Sequence, residues 1–218
     1  MTCRAVIFDL DGTLVDSLED LTAAVNSMLS AFSRPLLSAE AVRKLVGKGA
    51  RNLVQRALST ESPEEIEQGL DLFTGYNTDH IADASRLYPG VRQLLEQLAS
   101  GNVRMAVISN KNENLSKRIL EVLQVAVFFD IIAGGDTFAE MKPSPLPLVN
   151  VMEALGVSAA ETVMVGDSVN DIQAGNRAGV RTIGCNWGFG DSCELDDATL
   201  QVSSCYELES ILTRNGVA

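Results

Sequence analysis

Histidine is almost missing from this chain: His80 is the single one among 218 residues. A histidine-dependent nucleophilic triad is thereby excluded, and His80, in a polar stretch, reads as a surface residue. The four cysteines, Cys3, Cys185, Cys193 and Cys205, contain no C-x-x-C pair. They read as buried free thiols, and the common zinc patterns are absent with them. Positive charge is scarce as well. Seventeen Lys and Arg against 29 Asp and Glu give a formal net charge of −12, which offers no basic face to nucleic acid or to an anionic membrane. No apolar run is long enough to span a bilayer, and the first strand signal starts almost at Met1, leaving no room for a signal peptide. A cytoplasmic protein is expected. Internal repeats and low-complexity segments are absent too.

Hydrophobic residues make up 46% of the chain, enough for one large domain or for a core with a small second domain. The informative stretch comes first: Ala5-Val6-Ile7-Phe8-Asp9-Leu10-Asp11-Gly12-Thr13-Leu14-Val15-Asp16-Ser17. An apolar run without polar alternation reads as a strand buried on both faces, as in the centre of a parallel sheet. Asp9 and Asp11 then stand at its carboxyl end, where open α/β sheets bind ligands. Two carboxylates so close repel each other and resist desolvation. A hard divalent ion is the usual remedy, and Mg²⁺ is typically held by a couple of carboxylates, waters and a phosphate oxygen. Gly12 permits a tight turn, and Thr13 offers a hydroxyl and an amide to an anion. Turn and helix-cap chemistry accounts for Gly12 and Ser17, but not for Asp9.

From Asp16 to about Ser85 the periodicity is helical throughout. Leu18 to Phe32, Ser38 to Val46, Asn52 to Leu58 and Pro63 to Tyr76 predict four helices with no strand among them. Beyond Leu87-Tyr88-Pro89-Gly90 the pattern alternates. Strands are predicted at Val103 to Ile108, Phe129 to Ala133, Thr162 to Val165 and Arg181 to Cys185. Helices are predicted at Val91 to Ala99, Asn114 to Leu123, Pro145 to Leu155, Ile172 to Ala178 and Tyr206 to Leu212. The expected fold is therefore α/β: a Rossmann-like parallel sheet formed by 1–15 and 86–218, with 16–85 inserted after the first strand as a small helical cap.

Right-handed crossovers bring all the strand ends to one edge. Ser109-Asn110-Lys111, Lys142-Pro143 and Gly166-Asp167-Ser168-Val169-Asn170-Asp171 can then converge on Asp9 and Asp11. Acids, neutral donors and a loop lysine suit phosphoryl transfer to a carboxylate, where the phosphate charge must be neutralised and held in line. Read singly, Ser109-Asn110 could cap a helix, Lys142 could be a solvated loop residue, and Asp167 and Asp171 could be turn and first-turn acids.

In the order Asp9-x-Asp11-Gly12-Thr13, Ser109, Lys142-Pro143 and Gly166-Asp167-x-x-Asn170-Asp171, these residues resemble the four motifs of the haloacid dehalogenase-like phosphatases. The resemblance spans most of the chain. It implies Asp9 as the nucleophile that becomes an aspartyl-phosphate, with Asp11 as general acid and then base. It further implies Mg²⁺ held by Asp9, the Asp11 carbonyl and Asp167, with Asp171 as ligand or supporting partner, and the phosphoryl group held by Ser109 and Lys142. The helical insert resembles the caps of this family, and Val46-Gly47-Lys48-Gly49-Ala50-Arg51 resembles the cap loop that reaches the catalytic centre. Lys48 is a candidate for an anionic substrate tail or a solvated loop lysine; Arg51, Asn110 and Lys111 are further candidates.

Within the family, Asp9 to Ser17, Gly134-Gly135-Asp136 and Val165 to Ala174 look most like phosphoglycolate phosphatases. A small phosphorylated metabolite is the partner this implies. Pyrophosphate and sugar phosphates, and a β-phosphoglucomutase-like reaction, stay open as alternatives. A phosphoacceptor signalling domain is the alternative of a different class, and monomer and homodimer are both left open.

Overall fold

Ala5–Phe8 forms β1, with all four residues buried. Val6 and Phe8 face one apolar cluster while Ala5 and Ile7 face another, as the two-residue period of a doubly covered strand requires. In this computed structural model, which describes residues 3–214, the chain passes from β1 through β2 (Val15–Asp16), α1 (Leu18–Ala31), α2 (Ala39–Arg43), α3 (Gly49–Leu58), α4 (Pro63–Asp79) and β3 (Arg86–Leu87). It continues with α5 (Val91–Ser100), β4 (Arg104–Ile108), α6 (Glu113–Val122), β5 (Ile131–Ala133), α7 (Leu146–Leu155), β6 (Thr162–Gly166), α8 (Val169–Ala178), β7 (Arg181–Cys185), β8 (Leu200–Val202) and α9 (Cys205–Arg214). Residues 1–2 and 215–218 of the expected core segments lie outside the described residues.

The six-stranded sheet has the order β5-β4-β1-β6-β7-β8, with every pairing parallel. Leu94, Leu95 and Leu98 of α5, Ile119 and Leu120 of α6, and Leu208 and Leu212 of α9 cover one face; Leu148 and Val151 of α7 and Ala174 of α8 cover the other. The chain winds outward from β1 to β4 and β5, then returns to the opposite side of β1 with β6. This reversal opens a crevice at the carboxyl ends of β1 and β6, the usual ligand position in such sheets. Register carries it further: Phe8 pairs with Val107 and with Val165, so Asp9 emerges level with the ends of both neighbours.

Helices α1 to α4 build a separate apolar cluster from Leu21, Val25, Met28, Leu53, Val54, Leu58 and Phe73. Gly69 lets α4 lie close to α3, since a Cβ there would stand 2.8 Å from both Leu58 and Val54. The second helix runs only to Arg43, short of the expected Val46. Its last turn loosens into the segment before Gly47, whose φ of +103° is left-handed backbone that a helix cannot contain. Two short strands went unforeseen at the ends of the helical stretch: β2 and β3 pair antiparallel where the chain leaves and re-enters the sheet. The buried Asp20 supports this crossing by accepting bonds from the amides of Ala84 (3.0 Å) and Ser85 (2.7 Å) and from the Ser85 hydroxyl (2.6 Å). The edge strand β8 was also unforeseen, because three residues carry too little pattern to register.

No helix among the described residues is long and apolar enough to cross a membrane. His80 lies partly exposed against Tyr76 and Asp83, as expected. Three cysteines are buried free thiols, but Cys193 is exposed: it sits in a short surface turn at Ser192–Leu195 instead of a strand. Burial pushes the Cys3 thiol up, and Cys205 up to about 12. A disulfide reagent at pH 8 is therefore expected to modify Cys193 rapidly in the native chain. Cys3, Cys185 and Cys205 should react only on denaturation, which thiol counting before and after guanidinium will check.

Candidate active site

The chain after β1 turns at once. Gly12, at φ +92°, donates its amide to Val15 O (2.8 Å), and the amides of Leu14 and Val15 both return to Leu10 O (3.0 Å). The turn leaves Asp9 and Asp11 at the sheet edge. Asp11 accepts the Ser17 hydroxyl at 2.5 Å and lies 3.3 Å from the Lys111 ammonium. Ser17 does occupy the N-cap position of α1, but its hydroxyl makes no capping bond.

On the other side of Asp9, the Lys142 ammonium is bonded to Asp9 Oδ1 (2.7 Å) and Asp171 Oδ1 (2.6 Å). Lys142 is 2% exposed and Asp171 fully buried. The second oxygen of Asp171 closes the capping box of α8, accepting from the Ser168 amide (3.0 Å) and hydroxyl (2.7 Å). Asp167 is held at the end of β6 by the Thr13 hydroxyl (2.8 Å) and by the amide of Phe189 (2.7 Å). The close passage of the loop after β7 requires Gly188, where a Cβ would stand 2.2 Å from the Asp167 side chain.

Asp9, Asp167 and Asp171 each offer a carboxylate oxygen, all within 4.8 Å of one another. Burial pushes the Asp9 carboxyl up to about 8, against the pull of Lys142, with Asp171 and Asp167 adding repulsion. Burial and Asp171 push Asp167 up to about 7. Burial alone would lower the Lys142 ammonium, but Asp171 and Asp9 hold it above the ordinary lysine value. Four acids, Asp9, Asp11, Asp167 and Asp171, thus face two ammonium groups, Lys142 and Lys111. The excess of hard, anionic oxygen suits a divalent cation of the Mg²⁺ type.

Ser109 follows β4, its hydroxyl accepting from the Lys111 amide at 3.2 Å, and it caps no helix; Asn112 caps α6. Asn110 donates to Gly47 O (2.9 Å) and Lys142 O (2.8 Å), and Asn170 donates to the same Gly47 carbonyl at 3.2 Å. Two amides from the sheet edge therefore grip one carbonyl of the helical segment. Sequence reading placed Asn170 in the motif beside Asp171 but gave its side chain no role. Asp136 serves the start of α6, accepting the Glu113 amide at 2.8 Å.

The remaining candidates divide. Ser109, Asn110 and Lys111 line a chamber of about 70 Å³ above Asp9 and Asp11. Lys48 lines an adjoining vestibule of about 320 Å³ together with Arg43, Lys44 and Arg56. Arg51 lines neither: it is exposed and pairs with Glu67. Thr13 spends its hydroxyl on Asp167 and its amide on Leu10 O (3.3 Å).

Comparison with known proteins places this geometry. The family model for haloacid dehalogenase-like hydrolase matches residues 6–185. A phosphoglycolate phosphatase of Chromobacterium violaceum is 40% identical over 218 residues, covering 98% of this chain and 97% of its own. One from Neisseria meningitidis is 43% identical over 203 residues, covering 90% and 86%. A crystal structure of a Haemophilus somnus protein, described as a predicted phosphoglycolate phosphatase, superposes with a TM-score of 0.89 at 30% identity, covering 95% and 97%. CbbY from Rhodobacter sphaeroides, solved in complex with phosphate, superposes at 0.84 with 26% identity, covering 95% and 96%. The chain belongs to the haloacid dehalogenase-like hydrolases, on the side of that family where its relatives carry the name phosphoglycolate phosphatase.

Proposed function

We propose that this chain is a Mg²⁺-dependent phosphatase that hydrolyses a small phosphomonoester, 2-phosphoglycolate, by way of a phosphoryl group carried on Asp9. One observation carries the reading: Asp9 stands at the β1–β6 switch point with one oxygen on the Lys142 ammonium and Asp167 and Asp171 beside it. Asp9, the backbone carbonyl of Asp11 and Asp167 would hold the metal, and Asp171, whose two oxygens are engaged by Lys142 and Ser168, would support it. Bound there, Mg²⁺ supplies positive charge that neutralises the phosphate and keeps Asp9 ionised.

In the first step an Asp9 oxygen attacks phosphorus. The bond from phosphorus to the ester oxygen breaks, and that oxygen takes a proton from Asp11. In the second, Asp11 accepts a proton from water as the water oxygen attacks the phosphorus of the aspartyl-phosphate, releasing inorganic phosphate and regenerating Asp9. Ser17 and Lys111 orient Asp11 for both transfers. Lys142 and Ser109 hold the phosphoryl oxygens.

Residues 16–85 act in this proposal as a cap that shuts water out. Its separate apolar cluster, its two-strand link to the sheet and the grip on Gly47 O support that role. The chamber is small, about 70 Å³, which favours a leaving group of few atoms. The four basic residues of the vestibule favour pyrophosphate as a second reading.

The test is phosphate release from 2-phosphoglycolate and from pyrophosphate. With Mg²⁺ the expected kcat/KM for 2-phosphoglycolate exceeds about 10⁴ M⁻¹s⁻¹, and chelation should abolish it reversibly. Preference for pyrophosphate would replace the substrate and keep the mechanism. Asp9→Asn should lower kcat by at least about 10³-fold while circular dichroism and thermal melting show the native fold; a folded variant with wild-type turnover would remove Asp9 as nucleophile.

A further inference from the structure

The reaction above involves the phosphate end of the substrate and leaves the other end of the leaving group without a partner. That end must enter the chamber, whose roof is apolar: Leu21 of α1, Leu53 of α3 and Phe73 of α4. Two polar side chains interrupt this roof, Thr74 and Asn77. They stand three residues apart on α4 and share one helix face. Asn77 is only 3% exposed. Among the described residues, neither its side-chain amide nor the Thr74 hydroxyl is bonded to another protein group, and neither is fully enclosed.

Two polar side chains of α1 are engaged differently. In α1, Asn26 uses both ends of its amide on the backbone of Leu37, at 2.8 and 3.0 Å. The buried Asp20 accepts from two amides and a hydroxyl. Asn77 is not among the enclosed unpaired polar groups, so its amide keeps accessible surface where it lines the chamber, able to meet an acceptor there. Lys111 lines the same chamber, its side chain 8% exposed and its ammonium 3.3 Å from Asp11. The cations that line the chamber, Lys111 and Lys142, both come from the sheet side, and the helical segment contributes only neutral donors.

We propose that Asn77, with Thr74, determines specificity by binding the non-reacting end of the leaving group, a carboxylate, against Lys111. The amide offers two N–H donors and the hydroxyl one, which suits the lone pairs of a carboxylate that also meets an ammonium. A leaving group without acceptors would leave Asn77 unpaired and be rejected for that reason. The inference rests on the phosphatase reading and deepens it. It also separates the two cavities, for Lys48 lines the vestibule and not this chamber.

The experiment compares kcat/KM for 2-phosphoglycolate and ethyl phosphate, which lacks the carboxylate, in the Mg²⁺-loaded full chain. Asn77→Asp, which places a like charge opposite the carboxylate, should reduce the preference for 2-phosphoglycolate by about 10- to 100-fold, mainly through KM. The near-isosteric Thr74→Val should reduce it by about three- to tenfold, and it decides the matter if Asn77→Asp melts below the assay temperature. A folded Asn77→Asp or Thr74→Val enzyme with the wild-type preference would overturn the proposal. Loss of preference in Lys48→Ala instead would overturn it too, by moving the carboxylate to the vestibule. Failure of the wild type itself to prefer 2-phosphoglycolate would overturn the substrate reading and this inference with it, a result distinguishable because no variant is needed to see it.

Discussion

Lys142 carries its charge into a place water does not reach, 2.7 Å from Asp9 and 2.6 Å from Asp171. A contact of this kind at ~4 Å gains about 4 kcal/mol at an effective dielectric constant of ~20. Each buried ion meanwhile costs several kcal/mol in lost hydration. Two attractions set against three buried ions come close to cancelling. The cluster is therefore poorly explained as a device for holding the fold together, and Asp167 adds a further acid without adding a cation. Burial above all, with the neighbouring acids adding to it, raises the carboxyls of Asp9 and Asp167. The arrangement of the acids suits the cation proposed above.

The surrounding loops serve this arrangement. The turn at Gly12 brings Asp11 back over the strand end, and the passage of Gly188 beside Asp167 lets the Phe189 amide reach its carboxylate. Ser168 holds the far oxygen of Asp171, leaving the near one for Lys142. The carboxylates are thus oriented by bonds that do not depend on the substrate, which is what preorganised electrostatic catalysis requires. The helical segment touches the same groups: Asn110 bonds Gly47 O and Lys142 O with one amide, so that segment and the backbone of Lys142 share a partner.

Much of this was legible in the chain because it rests on local rules. Val6 and Phe8 against Ala5 and Ile7 mark a doubly buried strand by composition alone, and helical periodicity resolved the long elements to within a few residues. Acids at strand ends could be placed on one edge because crossover handedness leaves little choice. The shortest elements escaped: β2, β3 and β8 have two or three residues each, held by pairing partners distant in sequence. Side-chain assignments escaped for a similar reason. Ser17 looks like a helix cap and bonds Asp11; Arg51 sits in the loop motif and turns out to Glu67. Asn77 looks like any polar residue of an amphipathic helix, and only the packing of α1, α3 and α4 encloses it in the chamber.

By itself the sequence determined the parallel α/β core, the acids and lysine at its edge and the family to which they point, since strand burial, crossover hand and motif chemistry depend on neighbours along the chain. Tertiary structure alone decided which oxygen meets which ammonium, which loop carbonyl the two amides grip, and which of the candidate residues face the chamber, the vestibule or solvent. Those outcomes depend on distances between residues as far apart as Gly47 and Asn170, and such distances exist only once the layers have packed.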